Sequence, residues 1–116
     1  MDPCGMRDEF LPLRIEVRPD PARERVVLAP RGEVDVETAA PVRRELAELR
    51  AAGWRHVVFD TRKVTFFDST ALRVLLEERR AAQAPGRSFS LIDGSPSVAR
   101  ALEISGLSPW FERVRD

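Results

Sequence analysis

The sequence predicts a single α/β domain whose mixed β-sheet of about four to five strands has helices packed against it. Three observations carry this expectation. A chain of 116 residues is one domain by size, and 43% hydrophobic residues suffice for one core. Apolar residues recur with a period of two in some segments and near 3.6 in others. After two initial strand-like segments, helix and strand signals alternate, which requires crossover connections and therefore parallel strands.

Taken in order, Leu13, Ile15 and Val17 alternate with Arg14, Glu16 and Arg18, giving a half-buried strand that ends at the turn-forming Pro19-Asp20-Pro21. Val26, Val27, Leu28 and Ala29 form a second strand, expected to pair antiparallel with the first. Ala39, Val42, Leu46 and Leu49 mark the buried stripe of a first helix, which Gly53 stops. His56-Val57-Val58-Phe59-Asp60 is short and β-branched, lies between Gly53 and the polar Thr61-Arg62-Lys63, and reads as a buried third strand. A second helix follows Phe67, with Ala71, Leu72, Leu75 and Leu76 at helical spacing and Arg73, Glu77, Glu78 and Arg80 at mainly polar positions.

Pro85-Gly86 ends that helix, and Phe89 and Leu91 alternate with Ser88 and Ser90 in a fourth strand. Ser95-Pro96 starts a third helix, Ser as the cap and Pro in the first turn, and Gly106 closes it. Trp110, Phe111 and Val114 are expected to pack as a short terminal element. Burial of Trp110 and Phe111 against the sheet is a simpler account than an oligomer contact. Residues 1–10 read as a polar, mobile leader and residues 11–116 as the domain.

The run Phe66-Phe67-Asp68-Ser69-Thr70-Ala71-Leu72 sets a hydroxyl beside a carboxylate where a helix begins. Ser69 falls in the first turn, where backbone N–H groups lack partners and the helix dipole favours negative charge. Asp68 or Ser69 is readable as a plain N-cap, and the pair is also suited to modification or recognition. In open sheets the loops after strand carboxyl ends gather at one edge. Glu33-Val34-Asp35 and Asp68-Ser69-Thr70 both follow such ends, so Asp35 and Ser69 should approach each other on one rim. Asp35 by itself is equally readable as a helix N-cap.

From about Leu13 to Val114 the chain resembles a STAS domain of the anti-sigma factor antagonist family. Gly32-Glu33-Val34-Asp35 is similar to that family's Gly-Glu-apolar-Asp turn, and Asp68-Ser69-Thr70-Ala71-Leu72 to its Asp-Ser-Ser/Thr-Gly-Leu phosphorylation motif. Ser95 to Leu107 is similar to its late helix ending in Ser-Gly-Leu. Ala71 stands where the family has Gly, and Arg73 where a small or apolar residue is usual, which adds bulk and positive charge beside the site. The resemblance implies a cytoplasmic regulator of sigma-factor-dependent transcription. Unphosphorylated, it would bind an anti-sigma factor that is also an ATP-using serine kinase, and phosphorylated on Ser69 it would release it. A metal-dependent serine phosphatase would restore it. Thr70 is a secondary acceptor, and Glu33, Asp35, Asp68, Ser69, Thr70 and Arg73 are the expected partner-binding residues. The resemblance also admits an adaptor subunit of an ATP-binding-cassette lipid transport system, or a part of a stress-signalling assembly.

Other classes find little support. Nineteen basic residues balance nineteen acidic ones, so nothing in the net field favours nucleic acid or anionic lipid. No apolar run is long enough to cross a membrane, so no insertion is expected. The single Cys4 permits no internal disulfide and fits a reducing cytoplasm, and the N-terminus lacks the pattern of a secretion signal. Ser69 has no Gly-x-Ser-x-Gly turn around it, and the one histidine, His56, falls at a strand start without a base role, so no enzyme is expected. Scattered carboxylates define no metal site, and dispersed glycines form no phosphate loop, so neither metal nor cofactor is expected. Asp60 at a strand end suggests a phosphoacceptor receiver domain, but the opening hairpin and the lack of an early acidic pair count against it.

Overall fold

The computed structural model describes residues 13–116, so the expected leader and Cys4 lie outside the described residues. Strand β1 (Leu13–Asp20) and β2 (Arg25–Val34) form the expected antiparallel hairpin, with Leu13 opposite Gly32 and Val17 opposite Leu28. Then come helix α1 (Ala39–Ala51), strand β3 (His56–Asp60), strand β4 (Val64–Phe67), helix α2 (Ser69–Ala81), strand β5 (Ser88–Ile92), helix α3 (Pro96–Ser105) and the two-residue strand β6 (Glu112–Arg113). Short 3-10 turns occupy Pro21–Arg23 and Ser108–Trp110.

Among the described residues the sheet has six strands in the order β1-β2-β3-β5-β6, with β4 paired to β2. All pairings after the hairpin are parallel, as the crossovers demand. The α/β mixed sheet is as expected, while β4 and β6 raise its strand number above four to five. Strand β6 pairs with β5, whereas the origin of β4 is in β2. Arg25 to Leu28 pair with β3, whereas Gly32 to Val34 pair with β4 across an irregularity at Gly32/Glu33. Gly32 takes φ of 119°, a backbone region that side chains with a Cβ avoid. Pro30, which has no N–H to donate, falls in the seam between the two partners, where its missing hydrogen bond is tolerated.

The main core lies on one face of the sheet. Val26, Leu28, Val57, Phe59, Phe89 and Leu91 from the strands meet Val42 and Leu46 of α1, Val74 and Leu75 of α2, and Val98 and Leu102 of α3. The alternate strand residues Val27, Val58 and Ile92 form a separate small cluster on the opposite face, covered by Val114. Among the described residues, that face carries no helix. Phe111 is buried in the main core with its ring 6.4 Å from that of Phe89. Trp110 departs from its expected burial: it is 53% exposed, lies 5.0 Å from the Arg79 guanidinium carbon, and its carbonyl accepts from Arg79 Nε at 2.7 Å. The turn at Ser108–Trp110 turns Phe111 inward and leaves its neighbour outside.

Candidate functional site

Two adjacent strand ends build the expected rim. In the parallel pairing of β2 with β4, Glu33 lies opposite Phe66 and Val34 opposite Phe67, so the segments that follow leave the sheet side by side. Asp68 then joins them. Its backbone N–H donates to the Val34 carbonyl at 3.3 Å. Its Oδ1 accepts from the Ala71 N–H at 3.0 Å, the N-cap bond of α2, and its Oδ2 accepts from the Val36 N–H at 3.1 Å. One carboxylate thus satisfies an orphan donor of the helix and fixes the neighbouring loop.

With Asp68 as the cap, Ser69 becomes the first residue of α2 and is exposed. Its hydroxyl makes no hydrogen bond among the described residues. Thr70 is half-buried, and Arg73, four residues on from Ser69 and on the same side of the helix, is exposed without an ion pair among the described residues. Ala71 is fully buried against the core, where a larger side chain would not fit.

Across the rim, Glu33 is exposed and Asp35 half-buried. Asp35 does not cap the first residue of α1. Its Oδ1 accepts from the N–H groups of Glu37 at 2.9 Å and Thr38 at 3.1 Å, closing the turn that precedes the helix, and Thr38 holds the N-cap position. Thr38 is buried; its hydroxyl donates to the Glu33 carbonyl at 2.7 Å and accepts from the Asp35 N–H at 2.9 Å. Two contributors were not visible in the sequence. The Val36 N–H is a backbone group with no side-chain signature, and Thr38 carried only its hydroxyl at a helix start as a signal. Val36 (71% exposed) and Phe66 (49%) add apolar surface from the same two segments.

The helix-free face holds a different polar cluster. Asp60 is buried at the end of β3 and accepts from Arg62 Nη2 at 2.7 Å and Arg18 Nη2 at 3.1 Å. Burial pushes its carboxyl up, but the Arg62 side-chain and backbone hydrogen bonds and the charges of Arg62 and Arg18 outweigh this, leaving it below the ordinary carboxylate value. Asp116 also receives Arg62, at 2.6 Å, which lowers its carboxyl. Asp60 is therefore engaged as a structural ion-pair partner. His56 stands at the start of β3, as expected, with Nδ1 2.8 Å from the hydroxyl of its register partner Ser88. Among the described residues, no group of three His, Cys, Asp or Glu is placed to hold a metal ion, and no helix is long and apolar enough to cross a membrane.

Comparison with known proteins agrees with this architecture. The model of the STAS domain family matches residues 13–116. The anti-sigma F factor antagonist of Paenibacillus polymyxa is 31% identical over 77 residues, covering 66% of each chain, so the match spans about two thirds of that relative's length. Among solved structures, an anti-sigma factor antagonist from Mycobacterium paratuberculosis superposes with a TM-score of 0.79 at 20% identity, over 90% of this chain and 86% of that one. The Bacillus cell fate determinant SpoIIAA in its phosphorylated form gives 0.67 at 22% identity, over 89% and 93%. At these identities the two superpositions speak for the fold alone.

Proposed function

The chain belongs to the STAS domain family, among the anti-sigma factor antagonists, and from that membership we propose that it works as a phosphorylation-controlled partner switch. In this reading the unmodified protein docks its rim on an anti-sigma factor that is also a serine kinase, and so frees a sigma factor. Val36 and Phe66 supply apolar contact, and Glu33, Asp35, Asp68, Thr70 and Arg73 the polar surround. The kinase transfers the γ-phosphoryl group of ATP to Ser69 Oγ, the hydroxyl proton leaves, and the complex separates. A serine phosphatase resets the protein. Ser69 is a substrate in this scheme, and the setting is the cytoplasm.

The observation that carries the reading is the division of labour between Asp68 and Ser69. Because Asp68 caps α2, the Ser69 hydroxyl is left exposed at a helix N-terminus with no hydrogen bond among the described residues. A phosphoryl group there adds a charge of about −1.5 to −2 where the helix dipole tolerates it, so the fold persists. A partner seated on the rim would instead have to desolvate that dianion beside Asp68 and Asp35, which disfavours the complex.

The test is affinity capture from native cytoplasm with Ser69→Ala and Ser69→Asp baits, read by quantitative mass spectrometry. The expected result is an anti-sigma kinase enriched on the Ala bait and lost from the Asp bait. Transporter subunits bound equally by both would overturn the switch and make the protein an adaptor.

A further inference from the structure

Ser69, Arg73 and Glu77 follow one another at four-residue intervals along α2 and are all exposed, so they form one stripe on the outside of the helix. The acid one turn beyond Arg73 is already taken. Glu77 Oε1 accepts from Arg43 Nε of α1 at 2.8 Å, an ion pair between the two helices. Arg73 itself makes no hydrogen bond or ion pair among the described residues. It is also the one basic residue within 33–39 and 66–73, the two segments that form the rim. The acids of those segments are placed for other work: Asp68 uses its two oxygens on the Ala71 and Val36 N–H groups, and Asp35 its Oδ1 on those of Glu37 and Thr38. Glu33 and Glu37 are exposed on the neighbouring segment and are not paired with Arg73.

Helix geometry directs Arg73 toward Ser69. A long helical side chain leans to the N-terminus and covers the turn before its own Cα. For Arg73 that turn holds Ser69, and Cβ atoms at this spacing lie about 5–6 Å apart. An acid four residues N-terminal to a base is the favoured order of a helical ion pair, whereas Arg73 with Glu77 would be the reverse. We propose that Arg73 is the intramolecular counterion of phosphorylated Ser69, its guanidinium fork closing on two oxygens of the phosphoryl group. This inference rests on the reading of Ser69 as the phosphoacceptor and adds a second half to the switch. In the unmodified chain Arg73 is free to meet a carboxylate of the partner. Once Ser69 is phosphorylated, the same modification that introduces the anion holds the rim's cation in cis and withdraws it from the partner.

The test uses the full chain with phosphoserine incorporated at position 69 during translation, followed by 31P NMR titration. The second ionisation of the phosphate, ordinarily near about pH 6, should lie at least about 0.5 unit lower with Arg73 present than in Arg73→Gln, and Arg73→Lys, which keeps the charge without the fork, should fall between them. Arg80→Gln, at an exposed position of α2 about 16 Å further along the helix axis, should leave the titration unchanged. In 1H–15N spectra the Arg73 Nε–H signal should move between the unmodified and phosphorylated chains. Melting curves by circular dichroism establish that the variants fold. Equal ionisation with and without Arg73 would overturn the proposal by leaving the phosphate to solvent and the N–H groups of α2. An unmoved Arg73 signal would overturn it too, as would an equal effect of Arg80→Gln, which would indicate a diffuse field. No partner protein enters this measurement, so its failure is distinct from failure of the switch, which the two baits decide.

Discussion

Asp68 uses both oxygens of its carboxylate on backbone donors, one inside α2 and one in the loop after β2. A capping aspartate replaced by alanine typically costs about 1 kcal/mol, and a second backbone hydrogen bond lost from a half-exposed position about as much again at most. Asp68→Ala should therefore lower stability by about 1–2 kcal/mol, read as a drop in the urea midpoint at unchanged slope. Asp68→Asn keeps one carbonyl acceptor and should recover about half of the loss. A loss below about 0.3 kcal/mol in the alanine variant would mean that solvent replaces Asp68 at both donors and that the two segments are not joined through it. The motif announced the carboxylate and the hydroxyl, but not which of them caps. Only the bond from Asp68 to Ala71 separates the two roles.

At the level of elements, α3 shows how a single residue can tie a helix to a strand. Ser95 caps α3 by accepting from the Val98 N–H at 3.2 Å while its hydroxyl donates to the Val64 carbonyl of β4 at 2.7 Å, and it is 3% exposed. Ser95→Ala removes the cap and leaves a buried carbonyl without this donor, so a destabilisation of about 2–3 kcal/mol is expected from equilibrium unfolding. Ser95→Thr retains both groups and should stay within about 1 kcal/mol of the starting stability. The serine and the following proline were legible as a helix start, whereas the strand it holds was not. Val64 and Phe67 of β4 are buried and Thr65 and Phe66 exposed, which is not the alternation that reveals a strand. This strand exists because β2 outruns β3 and offers Gly32 to Val34 as an edge. The polar pair Glu112 and Arg113 is a strand for a similar reason: buried Phe111 delivers it to the free edge of β5. Helix α1, by contrast, carried its buried stripe in the spacing of its own residues, Val42, Leu46 and Leu49. Helix α2 departs from its expected stripe: Val74 and Glu78 are buried, Glu78 against Arg50 at 3.0 Å, and Leu72 and Leu76 are only half-buried.

Over the whole molecule, a formal charge of zero conceals segregation. Glu33, Asp35, Glu37 and Asp68 gather about the rim, while Arg14, Arg31 and Lys63 lie on the helix-free face. Composition cannot report this, because it depends on which strand ends the crossovers bring together. The same architecture bears on how the proposed switch acts. The rim segments are joined by the bonds of Asp68 to Val34, Val36 and Ala71 and anchored by Thr38, and Val34, Phe67 and Ala71 behind them are buried in the main core. Close-packed elements of this kind do not deform gradually, and no loosely packed element stands behind Ser69 among the described residues. Charge placed at Ser69 should therefore act by its own field and desolvation cost and not by refolding the domain. In the 1H–15N spectrum of Ser69→Asp, shift changes are expected only around residues 33–39 and 66–73, and the melting midpoint should move by less than about 4 °C, roughly 1 kcal/mol. Affinity for the rim's partner should meanwhile fall at least about 100-fold, or about 2.7 kcal/mol. Shifts spreading through β5 and α3, or a midpoint lowered by about 8 °C or more, would instead mean that the modification works through conformation.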